Sequence, residues 1–294
     1  MFNVKHSAPL LVAGSIALDT LEGDFGSAPD ELGGSALYFA LAASLLTPVA
    51  LVGAVGADDE EAVRDAIDGR PIDAACLDVL DAPTFRWHAR HVGTGNVDLG
   101  HDDRIYDVWR PRVPAGFSGW AFAGSMRPAL QLEFLTQVRG ADLIAADAML
   151  SYVRSAPAES EEVLALAAWY FANSDELQAL PEGKGPPTAF RDRHQLAGIC
   201  VKSGPDGARV VTQGEDVRVP ALASHPVVDT TGAGDSLAAG FLARLLTAPA
   251  AGLRDALEHG VALASITIED VGLRALRQAT PELLQDRVAE VRAG

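Results

Sequence analysis

A glycine-rich turn beside a single carboxylate is the segment of this chain best suited to chemistry. Residues 229–241 read Asp-Thr-Thr-Gly-Ala-Gly-Asp-Ser-Leu-Ala-Ala-Gly-Phe, and an apolar, helix-like run follows the turn. Backbone N–H groups at the start of a helix attract an anion such as phosphate, and the helix dipole adds to that attraction. A carboxylate would repel the same anion, so Asp235 needs another role, and accepting a proton from an attacking hydroxyl is the obvious one. The segment therefore predicts an anion site next to a general base.

The overall composition argues against several classes of partner. The chain has 294 residues, 48% of them hydrophobic, and a formal net charge of −17. A chain of that length can bury a sizeable core as one α/β domain, and so negative a charge argues against nucleic acid and anionic membranes as partners. No apolar run reaches the about 18 residues of a membrane-spanning helix, and residues 1–6 lack the apolar core of a signal peptide. We expect a cytoplasmic protein in which Cys76 and Cys200 are reduced thiols.

Strand-like and helix-like stretches alternate along most of the chain. Apolar runs predict strands over 10–13, 49–52, 121–123, 143–146, 170–172, 199–202 and 209–212. Helices are predicted over 33–46, 58–68, 129–138, 159–166, 237–246, 253–269 and 281–291. This alternation favours a mostly parallel sheet that is covered by helices on both faces.

Residues 83–110 depart from this alternation. Large and polar side chains alternate over 84–92, which is typical of a two-faced antiparallel strand. Glycines at 93, 95 and 100 suggest turns, and residues 104–109 are predicted to form the partner strand. We expect a small β-sheet outside the main sheet. If Phe85 and Trp87 are exposed on it, two such sheets could pair and form a homodimer.

Segment 229–241 resembles the C-terminal signature of the ribokinase family, also called the PfkB carbohydrate kinases. Other segments agree in order and spacing. The first strand of the family is similar to residues 14–19, and its Gly-Gly signature to residues 33–36. Its Asn-x-x-Glu is similar to residues 173–176, the strand and turn beside the nucleotide to 202–207, and the helix under the adenine to 259–264. The resemblance implies a ribokinase-like three-layer α/β sandwich with a central mostly parallel sheet. It also implies one domain, 1–294, in which about residues 15–32 and 83–112 form a β-sheet lid.

The resemblance further implies transfer of the γ-phosphate of ATP to a hydroxyl of a small sugar-like acceptor. Asp235 is then the base, and the amides of Gly232, Ala233 and Gly234 form the anion hole. The implied acceptor-binding residues are Asp19, Gly33, Gly34, Tyr38 and Arg86. The implied nucleotide-binding residues are Asn173, Lys202, Ser203, Gly204, Gly207, Thr231, Gly260 and Ala264. Asn173 and Glu176 are implied to organise Mg²⁺ through water, and Asp229 and Thr231 lie where the ligands of a K⁺ ion would be.

Some of these residues leave alternatives open. Tyr38 stands where many members have Asn, and Ala17 stands where ribokinases have a polar residue, so a nucleoside or a cyclitol becomes a more plausible acceptor than ribose. Tyr38 packing against the lid is the alternative. Arg86 either reaches substrate from the lid or is a solvated side chain. Asp147 either contacts acceptor hydroxyls or starts a helix.

Two other functions compete with the sugar or nucleoside kinase. The first is a non-catalytic nucleotide- or sugar-binding protein that kept the fold, against which the intact Asp235, Asn173 and Glu176 argue, because a binder has no use for a base beside an anion hole. The second is a vitamin-precursor kinase of the same superfamily. Such kinases typically lack the lid, so the alternating segment at 84–92 argues against this reading.

Overall fold

The structure is a computed structural model, and it describes residues 10–93, 95–181 and 183–294. Along these residues the strands are β1 (Leu10–Ala13), β2 (Ala17–Gly23), β3 (Gly26–Gly33), β4 (Val49–Gly56), β5 (Ile72–Leu80), β6 (Phe85–Val92), β7 (Gly95–Asp102), β8 (Trp120–Ala123), β9 (Leu143–Asp147), β10 (Trp169–Asn173), β11 (Gly198–Lys202), β12 (Ala208–Thr212) and β13 (Asp216–Val219). The helices are α1 (Ser35–Ala43), α2 (Glu60–Ile67), α3 (Ile105–Val108), α4 (Pro128–Gln137), α5 (Leu150–Ser155), α6 (Pro157–Leu166), α7 (Ser174–Ala179), α8 (Pro187–Arg193), α9 (Ala233–Thr247), α10 (Gly252–Thr267), α11 (Arg274–Gln278) and α12 (Pro281–Ala293).

The central sheet positions the functional residues. It has nine strands in the order β13-β12-β11-β10-β9-β8-β1-β4-β5, and its pairs are parallel except β11 with β12 and β12 with β13. Strands β1 and β4 are buried along their whole length, as expected of parallel strands that are covered on both faces. Asp147, Asn173 and Lys202 are the last residues of three neighbouring parallel strands. They therefore share the carboxyl edge of the sheet, where open α/β sheets bind ligands.

Helices cover both faces of this sheet. Helices α1, α2 and α9 to α12 contribute side chains to one buried apolar cluster, and α3 to α8 contribute to the other. Phe39 of α1 stacks on Phe122 of β8 with ring centroids 4.3 Å apart. The predicted three-layer sandwich with a central, mostly parallel sheet is therefore confirmed.

A second, smaller sheet has four strands in the order β3-β2-β6-β7. Its strand β6 spans Phe85–Val92, close to the prediction from the alternating pattern. Leu21 and Ala89 on one face of this sheet pack against Val271, with Val228 beside them. The small sheet thus covers the segment that leads into the glycine turn.

The predicted partner strand over 104–109 is wrong. The chain turns back at Gly93, whose φ is +63°, so pairing with β6 resumes at Gly95 and runs to Asp102. Gly95 and Gly100 lie within β7 and not in separate turns. Residues 105–108 form a helical turn instead, because Tyr106 stacks on Phe85 with centroids 5.6 Å apart and is buried there.

The expected exposure of Phe85 and Trp87 is also not found. Phe85 is buried and Trp87 is half-buried, because both lie on the face of the small sheet that covers the protein. Within the described residues no single helix is long and apolar enough to cross a membrane. One pair, Ala233–Thr247 with Pro249–Thr267, reaches that length only as two segments that are bent by 104°. Cys76 and Cys200 are free thiols, and residues 1–6, where a signal peptide was not expected, lie outside the described residues.

Candidate active site

The glycine turn lies directly before helix α9. Gly232 is the N-terminal cap of α9 and has left-handed backbone angles, φ +74° and ψ 0°. A Cβ atom at this position would lie 2.1 Å from the ring of Tyr38, so the site needs glycine for space as well as for conformation. Residues 232–235 are partly exposed between the buried Thr231 and Ser236. The first N–H groups of α9 have no partner within the helix. The Ala233 N–H donates to the Thr230 carbonyl in a long bond of 3.3 Å, so Gly232 and Gly234 carry the more open amide donors of the turn.

Asp235 lies in the first turn of α9, beside these donors. Its Oδ1 accepts a hydrogen bond of 2.5 Å from the hydroxyl of Ser35, the first residue of α1. Burial and the carboxylate of Asp147 raise the pKa of Asp235 to about 7, although Ser35 and Lys202 act in the opposite direction. A carboxylate whose pKa lies near neutral pH is well matched to accept a proton in the transition state.

A buried group of charges flanks the turn at the carboxyl edge of the sheet. Lys202 Nζ donates to Asp147 Oδ1 at 2.6 Å and lies 3.8 Å from Glu176 Oε2. Burial opposes the charge of Lys202, but Asp147 and Glu176 outweigh it and raise the pKa of Lys202 above its ordinary value. A Cβ at Gly234 would lie 3.1 Å from the ammonium nitrogen, so Lys202 borders the glycine turn itself. Asp147 does not start a helix, because α5 begins at Leu150 with Met149 as its cap. Its Oδ1 binds Lys202 instead, and its contact with the acceptor stays a prediction.

Asn173 and Glu176 form a capping box at the start of α7. The Asn173 side chain accepts from the backbone N–H groups of Asp175 and Glu176, and Glu176 Oε2 accepts from the Asn173 N–H at 2.7 Å. Burial raises the pKa of Glu176 to about 7 against the charge of Lys202. The Asn-x-x-Glu pattern therefore has a structural role in addition to any role with phosphates or metal. Among the residues that the structure describes, no group of three or more His, Cys, Asp or Glu is arranged to hold a metal ion.

Asp19, Gly33 and Tyr38 lie together on the other side of the turn. A Cβ at Gly33 would lie 2.3 Å from Asp19 Oδ2 and 3.4 Å from the ring of Tyr38. Asp19 Oδ1 and the Tyr38 hydroxyl are buried and have no hydrogen-bond partner in the described part of the chain. Burial, followed by the charges of Asp229, Asp235 and Glu31, raises the pKa of Asp19 well above its usual range. Buried polar atoms normally find partners, so these two atoms have hydrogen-bonding capacity left that the described residues do not use.

Gly34 approaches the start of β2. Its φ is +97°, and a Cβ would lie 2.4 Å from the carbonyl oxygen of Ser15 and 2.8 Å from the N atom of Ala17. The Gly-Gly pair thus lets the start of α1 lie directly against the loop between β1 and β2. This packing brings Ser35 to Asp235.

The structure does not bring Arg86 to this group. Asp19 pairs with Trp87 across β2 and β6, and Arg86 is the next residue along the strand, so its side chain lies on the opposite face of the small sheet. There Arg86 is exposed and forms an ion pair with Asp30. It therefore has the alternative role considered from the sequence, that of a solvated side chain of the small sheet.

Ser203, Gly204 and Gly207 form the tight turn after β11. The N–H of Ser203 donates to the Gly207 carbonyl at 2.8 Å. Gly207 has φ +88°, and a Cβ there would lie 2.1 Å from the carbonyl oxygen of Val219. The turn holds the end of β11, and with it Lys202, at the edge of the sheet.

Gly260 and Ala264 lie on α10, which packs along α9. A Cβ at Gly260 would lie 2.7 Å from the carbonyl oxygen of Leu237, and one at Gly240 would lie 2.7 Å from that of His259. These two glycines allow close contact between the helices. Gly260 therefore has a packing role of its own, while Ala264 remains partly exposed nearer the end of α10.

The small sheet contacts the segment just before the glycine turn. Asn96 of β7 donates to the Thr231 hydroxyl at 2.9 Å, and the Thr230 hydroxyl lies 3.3 Å from His91 Nδ1. Thr231 in turn donates to the buried carboxylate of Asp229 at 2.7 Å. The position of the small sheet is thus linked by hydrogen bonds to the turn that carries Asp235.

Ser35 and Gly124 are two site residues that sequence reasoning did not single out. Besides its bond to Asp235, the Ser35 hydroxyl accepts from the N–H of Ser125 at 2.9 Å. A Cβ at Gly124 would lie 2.2 Å from that hydroxyl oxygen. A signal was present for both, because Ser35 directly follows the Gly-Gly pair and Gly124 directly follows a predicted strand.

A family model for the pfkB family carbohydrate kinases matches residues 30–279. Among curated proteins, the chain is 39% identical over 116 residues to the ATP-dependent ribose-1-phosphate kinase of Halopiger xanaduensis, a match that covers 39% of this chain and 37% of that protein. It is 43% identical over 86 residues to the 2-dehydro-3-deoxygluconokinase of Escherichia coli, covering 28% of this chain and 27% of that protein. The chain thus matches less than two fifths of the length of these relatives.

Solved structures are similar over nearly the whole chain. The nucleoside kinase of Methanocaldococcus jannaschii has a TM-score of 0.77 and 19% identity, covering 96% of this chain and 98% of that chain. The nucleoside kinase of Burkholderia thailandensis in complex with inosine has a TM-score of 0.78 and 18% identity, covering 97% and 98%. At such identities the similarity establishes the fold, which is that of the ribokinase family. The family match over residues 30–279, with which this fold agrees, shows that the chain belongs to the pfkB family of carbohydrate kinases.

Proposed function

We propose that this protein is an ATP-dependent phosphotransferase that phosphorylates a hydroxyl group of a small sugar-like molecule. The observation that carries the proposal is the position of Asp235, a carboxylate with a pKa near 7 in the first turn of α9, directly beside the amides of Gly232 to Gly234. An anion site alone would serve a binding protein. A proton acceptor at its edge adds what phosphoryl transfer to an alcohol requires.

The reaction is a single in-line transfer. The acceptor oxygen forms a bond to the γ-phosphorus of ATP, and its proton passes to Asp235. The bond from the γ-phosphorus to the bridging oxygen breaks, and its electron pair leaves with ADP. Negative charge on the transferred phosphoryl group meets the N–H groups of Gly232, Ala233 and Gly234. The Ala233 N–H would share its hydrogen with the Thr230 carbonyl, to which it donates at 3.3 Å.

Cations and the nucleotide form the finer part of the proposal. Oxygen ligands and bound water suit Mg²⁺, and the Glu176 carboxylate would hold such a hydrated ion, which when bound neutralises phosphate charge. Asn173 would take part through its amide N–H groups, because its Oδ1 already accepts from the N–H groups of Asp175 and Glu176. A K⁺ ion is proposed beside Asp229 and Thr231: Asp229 Oδ2 accepts one hydrogen bond, from Gly272, and so keeps a lone pair for a cation. The nucleotide is proposed to lie along Ser203, Gly204 and Gly207, with its adenine near Gly260 and Ala264.

The acceptor is proposed to bind between Asp19 and the Gly33–Gly34 backbone. The unpartnered Asp19 Oδ1 and Tyr38 hydroxyl call for hydroxyl groups of the ligand. Tyr38 also supports a nucleoside or a cyclitol as the alternative acceptor, since its aromatic ring borders both Gly33 and Gly232. The nucleoside kinases among the similar structures are consistent with this alternative.

The small sheet is proposed to act as a lid that excludes water and so limits hydrolysis of ATP. Its contacts to Thr230 and Thr231 support this role, because they join it to the turn that carries the base. The presence of this sheet also argues against a vitamin-precursor kinase. A homodimer through the lid remains part of the proposal, now with the exposed Val92, Val97 and Leu99 as the apolar contact, and sedimentation of the purified protein tests it.

The decisive experiment measures ADP release from Mg²⁺-ATP in the presence of pentoses, hexoses, cyclitols or nucleosides. We expect one class of acceptor to raise ADP release well above the rate with ATP alone, and the Asp235→Asn variant to remain at background with every acceptor. If the protein binds ATP but no acceptor raises its turnover above that of the variant, the non-catalytic binding protein becomes the better explanation.

The acid limb of the pH profile provides a second test. Asp235 acts as a base only when it is deprotonated and its pKa is about 7, so kcat/KM is expected to fall as the pH drops below about 7. Because the Ser35 hydrogen bond lowers this pKa, the Ser35→Ala variant should move the limb to higher pH. Ser44→Ala, which removes a hydroxyl that donates to the backbone carbonyl of Leu41 on the same helix α1, is the matched control. If kcat/KM stays constant down to pH 5, which is about two pH units below the expected midpoint, the assignment of Asp235 as the base would be contradicted.

A further inference from the structure

We infer that Lys202 is a catalytic residue whose ammonium group binds the transferred phosphoryl group, a role beyond flanking the nucleotide. The inference rests on the proposed kinase activity and deepens it. It starts from where the ammonium group lies: it borders the backbone of Gly234, at 3.1 Å from the position that a Cβ would take there. Gly234 belongs to the turn whose amides are proposed to hold the same phosphoryl group.

The acidic side chains around the turn favour a positively charged group beside it. Four acidic side chains, those of Asp19, Asp147, Glu176 and Asp235, are buried or half-buried around it. An incoming nucleoside triphosphate adds further negative charge, and backbone amides carry only partial positive charges. Lys202 is the cation that the described structure holds among these carboxylates, through ion pairs with Asp147 and Glu176.

The ammonium group of Lys202 has hydrogen-bond donors that the described residues leave unused. An ammonium group has three donors, and in the described part of the chain one of them is used, in the bond to Asp147 Oδ1 at 2.6 Å. Glu176 lies at 3.8 Å, which is close enough for an ion pair but too far for a hydrogen bond. Donors therefore remain for phosphate oxygens at the turn.

The rest of the site keeps this cation rigid. Only 14% of the Lys202 side-chain surface is exposed, and 4% of that of Asp147. Asp147 Oδ1 also accepts from the N–H of Ala148 at 2.7 Å, and the Gln131 side chain donates to the Asp147 carbonyl at 3.1 Å. A cation fixed in this way does not have to reorganise as negative charge develops during transfer.

The test compares the binding of Mg²⁺-ATP and Mg²⁺-ADP by calorimetry, because ADP lacks the group that Lys202 is inferred to contact. Loss of a charge-assisted hydrogen bond of about 1.5–3 kcal/mol corresponds to roughly a tenfold to hundredfold change in affinity. Lys202→Met is therefore expected to weaken ATP binding by at least about tenfold and ADP binding by less than about threefold. Lys202→Arg should keep part of the preference for ATP, and Lys184→Met, at an exposed lysine, should leave both affinities unchanged.

A second variant covers the case in which Lys202→Met is poorly folded, since it leaves Asp147 buried and unpaired. The double variant Asp147→Asn/Lys202→Met replaces the ion pair by two neutral groups, and the same selective loss of ATP binding is expected. Equal weakening of ATP and ADP, or no weakening of either, would overturn the inference about Lys202. Failure of the wild-type protein to bind ATP would instead overturn the proposed function, so the two failures are distinguishable.

Discussion

Replacing Asp235 by Asn is expected to reduce the rate of acceptor phosphorylation by about 10²–10⁴-fold, the range in which general-base contributions fall. The amide is nearly the same size and can still accept the hydrogen bond that the Ser35 hydroxyl donates at 2.5 Å. It cannot take the proton of the acceptor hydroxyl. The loss should therefore appear in kcat, with the KM for ATP little changed, when initial rates are measured with the acceptor found in the screen.

Stability measurements separate this loss from unfolding. Burial raises the pKa of Asp235 above its ordinary value, so the folded state binds this proton more tightly than the unfolded state does. The contribution of Asp235 to stability is present below the unfolded pKa near 4 and is lost as the pH rises through about 7. Asn has no such loss, so at pH 8, about one unit above that midpoint, Asp235→Asn should melt at the wild-type temperature or higher.

An exposed acid is the matched control for this substitution. Asp286→Asn, on the outer surface of α12, removes the same charge far from the turn and should change neither kcat nor the melting temperature. A kcat for Asp235→Asn within about tenfold of the wild-type value would show that another group accepts the proton.

Much of the fold was predictable because burial on both faces leaves a clear pattern. Strands β1 and β4 are uninterrupted apolar runs, and the inner face predicted for the acidic helix, Val63, Ala66 and Ile67, is the buried face of α2. The pattern did not predict the partner strand of β6, because residues 95–102 are mostly polar, contain two glycines and have only Val97 and Leu99 as large apolar side chains. The more apolar residues 104–109 look like a strand locally, and only tertiary packing of Tyr106 against Phe85 makes them helical.

The site was predictable where it is local and not where it depends on contacts between distant segments. The turn with Asp235 is contiguous in sequence, so residue types alone indicated its chemistry. The bond from Ser35 to Asp235 and the pair of Lys202 with Asp147 each join separate strands and helices. Arg86 shows the converse case: its residue type suited a phosphate contact, but the alternation along β6 turns it away from Asp19.

The contact between Tyr38 and Gly232 was equally invisible in the sequence, and it makes the substitution Gly232→Ala informative. The left-handed backbone costs a non-glycine residue about 1–2 kcal/mol, and forcing a methyl group into a filled site costs about 1–3 kcal/mol more. A Cβ here would lie 2.1–2.4 Å from three atoms of the Tyr38 ring. We expect the free energy of unfolding to fall by roughly the sum, about 2–5 kcal/mol, in urea titrations, and kcat to fall about 10²-fold because the anion-hole amides are displaced.

Gly69→Ala separates the two causes. Gly69 has φ +70°, close to the +74° of Gly232, but nothing lies within 4 Å of the position of its Cβ. The Gly69→Ala variant should therefore lose only the conformational part of the free energy of unfolding, about 1–2 kcal/mol, and should keep the activity of the wild type. In the double variant Tyr38→Ala/Gly232→Ala the clash is gone. Its free energy of unfolding should therefore be lower than that of Tyr38→Ala by no more than this conformational cost. If Gly232→Ala instead behaves like Gly69→Ala in both stability and kcat, the Tyr38 ring does not pack against the glycine turn. The proposal that the Tyr38 hydroxyl binds the acceptor next to Asp235 would then lose its support.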